Sequence, residues 1–96
     1  MQFSPELRER VAAGEITVSF RLWQRAQVKV GGRYAVAGAT IEVDDIELLP
    51  FAAIGDDDVV ASGEVDREAL RARAAHAGPV HGDTVLHRIE FHVVQS

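Results

Sequence analysis

The sequence has no cysteine, which excludes a disulfide framework, thiolate chemistry and any zinc site built on cysteine. No apolar run approaches the roughly 18 residues of a membrane span, and no basic segment leads into an apolar stretch as in a secretory signal. A cytoplasmic protein with no membrane partner is therefore expected. Internal repeats and low-complexity tracts are missing. So is a glycine-rich phosphate loop, because Gly31-Gly32 sits between two expected strands and not where a strand enters a helix. The H-E-x-x-H metal pattern is absent, and His87 and His92 fall on opposite faces of one expected strand, with His81 before it. Asp56-Asp57-Asp58 lacks the spaced ligands of a calcium loop and reads as the acidic start of a helix. Neither a metal nor a cofactor is expected.

What remains is ordinary globular material. The chain has 96 residues, of which 47% are hydrophobic and 26% charged, enough for one modest core and one domain spanning residues 1–96. The net charge of −5 argues against a general polyanion binder. It is unevenly spread: residues 1–40 carry +3, residues 41–70 carry −9, and residues 71–96 carry +1. If the two ends meet in space, a basic face can exist on an acidic protein.

Ser4-Pro5-Glu6 is a helix start, with Ser4 as a cap, and Gly14 closes that helix. Residues Ile16 to Trp23 alternate strictly, with Ile16, Val18, Phe20 and Leu22 on one face and Thr17, Ser19, Arg21 and Trp23 on the other, which predicts a half-buried strand. Strands are also expected at Arg33–Val36, after the Gly31-Gly32 turn, and at Thr40–Leu49, with a bulge at Asp44-Asp45 and a stop at Pro50. A short helix capped by an Asp of 56–58 should end at Gly63, and a second, capped by Asp66, should run to about His76 with an exposed arginine-rich face. Thr84–Val94 reads as a central strand, apolar on both faces near its end. The order implies an α+β fold, a small mixed barrel flanked by short helices.

Several pieces in fixed order resemble one family. Phe3-Ser4-Pro5-Glu6-Leu7 opens the chain. Gly14-Glu15-Ile16-Thr17-Val18-Ser19-Phe20-Arg21 follows the frame G-x-K-x-x-T-x-R, Val30-Gly31-Gly32-Arg33-Tyr34 supplies the next turn, and Leu86-His87-Arg88-Ile89-Glu90-Phe91 supplies a closing strand. Together they are similar to the ASCH domains of the PUA-like superfamily. The resemblance implies a PUA-like pseudo-barrel with a cleft between the first helix and the sheet. It also implies an RNA-related role, since members resemble RNA-binding modules, amidohydrolases on acylated cytidine, or ribonucleases. In the amidohydrolase branch the motif lysine, the threonine and a later glutamate do the chemistry. Here Ile16 stands at the lysine, Ser19 at the threonine and Arg21 at the arginine. Ser62 stands at the glutamate, with Glu64 close by.

Ser19 is thus a candidate nucleophile without a local base, because arginine stays protonated. Arg21 offers a planar fork for phosphate or carboxylate, and Trp23 on the same face can stack a base. Arg25, Lys29 and Arg33 can extend a basic rim. The expected function is a module that binds RNA, DNA or a nucleotide through Thr17, Ser19, Arg21, Trp23, Arg25, Lys29 and Arg33. The alternatives are a hydrolase (an N4-acylcytidine amidohydrolase or a ribonuclease) and a protein-interaction domain using the acidic segment Glu42–Asp58.

Overall fold

The computed structural model describes residues 1–94. Helix α1 spans Pro5–Ala12, with Pro5 at its first turn and Glu6 complementing the dipole. Ser4 holds the N-cap position, but its side chain makes no capping bond, contrary to expectation. Gly14, at φ +81°, supplies the left-handed turn that ends the helix.

Strand β1 covers Val18–Arg21, shorter than the alternation of Ile16 to Trp23 suggests; the alternation of burial extends back to Ile16 but stops at Arg21, since Leu22 and Trp23 are both half-buried. Strands β2 (Arg33–Val36) and β3 (Ala39–Pro50) form a hairpin over Ala37-Gly38, both at positive φ, as a type I′ turn needs. After the 3-10 turn Phe51–Ala53 comes α2, Asp56–Ala61. Its N-cap is Gly55, so the three aspartates lie in the first turn and none of them is the cap. Helix α3 spans Arg67–Ala74, and the Asp66 carboxylate accepts from Ala69 N at 2.8 Å, the cap the sequence predicts. Strand β4, Val85–Val94, completes the chain.

The sheet order is β1-β4-β3-β2, antiparallel throughout, so β4 is central as expected and β1 and β2 are edges. The sheet curls into a half-barrel. The bulge at Asp44 decides which residues are inside. Before it, Ile41 and Val43 face the core; after it, Ile46 takes up the same face. Without the extra residue, Asp45 and Glu47 would point inward, since a one-residue slip exchanges the two faces.

Both faces are covered. Phe3, Leu7 and Val11 of the N-terminal segment pack on Ile41, Val43, Ile89 and Phe91. On the opposite face Val18, Phe20 and Leu86 pack against Phe51, Ile54, Val59, Leu70 and Ala74. Not all of the α3 arginines are exposed as expected. Arg67 turns inward, bonding the carbonyls of Phe51 and Ile54 with its guanidinium over the Phe51 ring.

Candidate functional site

Because β1 is an edge strand, one side of it has no neighbouring strand. Helices α1 and α3 come from the two faces of the sheet and flank that open side. Between them lies a cleft of about 400 Å³ lined by Phe3 and Leu7, by Val18 through Trp23, and by Leu70, Arg73 and Ala74. The alternation of β1 sends Ser19 and Arg21 toward the α1 side and Val18 and Phe20 toward the α3 side.

Arg21 is the most distinctive group here. Its Nε donates to Ser19 Oγ at 2.8 Å, and its guanidinium carbon lies 4.9 Å from the centre of the Phe3 ring and 5.9 Å from that of Trp23. Aromatic faces attract a cation, but they do not replace a counter-ion. Burial pushes its pKa down, although arginine stays charged. Among the described residues no carboxylate lies within salt-bridge distance, and the terminal nitrogens make no hydrogen bond. Arg10, Arg33, Arg71, Arg73 and Arg88 each meet an acidic side chain.

Trp23 packs against His87, with ring centres 5.6 Å apart. His87 is 6% exposed, and its Nδ1 has no partner among the described residues. Desolvation lowers its pKa, so the neutral ring is favoured.

The cleft also holds a carboxylate. Glu64 lines it, and its side chain is only 7% exposed. Arg73 of α3 grips Glu64 through Nε and Glu6 of α1 through Nη1 at 2.9 Å, tying α1 to α3 across the cleft. Ser62, at the family's glutamate position, lines the cleft too, but its hydroxyl donates to Val59 O at 2.7 Å within the α2 turn. The acid therefore comes from Glu64, two residues on, which sequence spacing had noted only as a neighbour.

Ile16, at the lysine position, is 1% exposed and packs against Gly63. Thr17 is half-buried at the start of β1, where its backbone bonds Ala61 O and Phe91 N. Arg25 is exposed beside a second, more open depression shared with Trp23 and Gln24. Lys29 and Arg33 are not brought to the cleft. Lys29 lies in the loop that leads into β2, and Arg33 sits on β2 at the opposite sheet edge, bonded to Glu42 at 2.9 Å. Of the seven residues expected to bind, Ser19, Arg21 and Trp23 meet in the cleft, and Arg25 lines only the second depression, which shares Trp23 with it.

Glu42, Asp44 and His92 come within 4.8 Å of one another on β3 and β4. They are outside the cleft, and His92 Nδ1 already contacts Asp44 at 2.8 Å while Glu42 is held by Arg33.

No family model matches this chain, and no curated protein matches it. Solved structures do. The ASCH domain from Lactobacillus crispatus JV V101 aligns with a TM-score of 0.75 at 20% identity, covering 92% of this chain and 70% of that one. A protein from Enterococcus faecalis V583 described by the family model DUF984 aligns with a TM-score of 0.69 at 16% identity, covering 93% and 67% respectively. The chain therefore has an ASCH-like fold, as the ordered motifs implied.

Proposed function

We propose that this protein, with an ASCH-like fold over the described residues, is a binding module for RNA or a nucleotide held in the cleft between α1, β1 and α3. One observation carries the reading. Arg21 is a partly desolvated cation with no anionic partner among the described residues, in a chain whose net charge is −5 and whose other cleft arginine is doubly paired. Desolvating a charge costs free energy unless a partner offsets it. Here Ser19 fixes the side chain, two aromatic rings flank it, and its terminal nitrogens remain free for a phosphate. Trp23 adds a stacking surface at the rim. The test is a titration with the four ribonucleoside monophosphates and a short single-stranded RNA at low salt. Binding is expected, weakened about tenfold or more by Arg21→Ala, as suits a charge-assisted hydrogen bond. No binding of nucleotide, RNA or DNA by the unaltered protein refutes it.

Glu64 motivates a second reading, hydrolysis, since a carboxylate shares the cleft with Ser19. Two observations weigh against it. Ser19 Oγ has Arg21 as its partner and no carboxylate or imidazole among the described residues. Glu64 is held in an ion pair by Arg73, so its carboxylate is already engaged and is not directed at Ser19. Incubation with N4-acetylcytidine and with RNA should give no turnover above background. Turnover abolished by both Ser19→Ala and Glu64→Gln establishes the hydrolase instead.

A further inference from the structure

Resting on the binding role just proposed, we infer that the cleft recognises an unpaired nucleobase through the open backbone edge of β1. The direction of that backbone follows from hydrogen bonds two strands away. Val43 spends both backbone groups on the loop before β2: Gly31 N donates to Val43 O at 2.7 Å, and Val43 N donates to Gly32 O at 2.9 Å. Its partner on β4 is Phe91, whose N–H turns the other way and donates to Thr17 O at 2.9 Å. Backbone direction alternates along a strand, so Ile89 and His87 also point toward β1. Their partners Ser19 and Arg21 exchange hydrogen bonds with β4. Val18 and Phe20 must then direct N–H and C=O away from the sheet, to the side where the cleft lies. Nothing among the described residues bonds these groups.

Unpaired backbone groups in a half-enclosed cleft require a partner, from water or from a ligand. On an open edge each such residue offers a donor beside an acceptor. The Watson–Crick edge of every nucleobase carries the complement, an acceptor beside a donor, and single-stranded RNA is commonly read on that edge. A base in a duplex has already spent it. The edge therefore selects unpaired bases with little preference among the four, while Arg21 on the α1 side holds the phosphate.

An extended peptide could use the same groups by strand addition, but that mode draws its affinity from a run of backbone bonds. The run here is short. The Thr17 N–H is taken by Ala61 O at 3.0 Å, and β1 ends at Arg21, leaving two outward residues. A compact ligand fits this edge better.

Uridine 5′-monophosphate is compared with its N3-methyl form, and guanosine 5′-monophosphate with its N1-methyl form, by titration and by amide spectra of ¹⁵N-labelled protein. Methylation should weaken binding about tenfold, the effect of leaving one buried hydrogen-bonding group unsatisfied. The amides of Val18 and Phe20 should shift only with the unmethylated forms. Equal affinity for methylated and unmethylated nucleotides, with Arg21→Ala still weakening both, overturns edge recognition and leaves the binding role standing. Failure of every nucleotide, or displacement of those amides by an extended peptide alone, overturns both.

Discussion

Arg21 and His87 are register partners across β1 and β4, and both are held in largely apolar surroundings. The neutral His87 ring is favoured by burial, which desolvates the charged form. The unfolded chain has no such bias and takes up its proton near the ordinary value of about 6.5. Between the lowered native value and about 6.5 the unfolded state therefore binds more protons than the native one. The contribution of His87 to stability is complete above pH ~6.5, declines as the pH falls from there toward the lowered native value, and is lost below it. Thermal melts at pH 5 to 8 should show this decline, and His87→Leu should reduce it while leaving the carboxylate contributions in place. Parallel pH profiles for the two proteins refute the assignment. The sequence marked His87 only as a residue of the closing strand, on the face opposite His92. Its burial depends on Trp23, which alternation placed inside a strand but which lies beyond the end of β1.

At the scale of elements, two glycines separate local strain from tertiary contact. Gly63 and Gly31 share nearly the same backbone, φ +84° and +83°. A side chain at Gly31 meets open space, whereas a Cβ at Gly63 would lie 2.5 Å from Ile16 Cδ1. Alanine at either position costs about 1–2 kcal/mol for left-handed backbone. Gly63→Ala should cost more, lowering the melting temperature by several degrees beyond Gly31→Ala; equal losses would show that Ile16 yields without penalty. The stop at Gly63 was legible from sequence, as were the bulge at Asp44-Asp45 and the cap at Asp66, because each is set by residues next to it in the chain. The cap of α2 was misread because three adjacent aspartates compete for one position, and Gly55 takes it. Glu64 was legible only as an acid close to Ser62, and its seat in the cleft was not: Arg73 on α3, which also holds Glu6 on α1, fixes it, and no local pattern reports such a meeting. Arg33 fails for a similar reason, since proximity in sequence to Trp23 says nothing of which sheet edge it joins.

Across the whole molecule, two of the six basic side chains in residues 1–40 are paired internally. Arg10 meets Glu15 and Arg33 meets Glu42, and Lys29 lies away from the cleft, so the basic character at the cleft that was suggested by charge distribution reduces to Arg21, with Arg25 beside the adjoining depression. A ligand held by one or two phosphate contacts loses affinity gently with salt. The slope of log K against log salt for single-stranded RNA should be about −0.7 to −1.4. A slope several times steeper would mean that RNA lies across the surface and not in the cleft. The open edge of β1 has a further consequence for behaviour in solution. Edge strands with unsatisfied backbone invite pairing with other chains, and Val18-Ser19-Phe20-Arg21-Leu22 is rich in strand-forming residues. Helices α1 and α3 act as its guards, so transient detachment of either would turn a sheltered edge into a seed for aggregation.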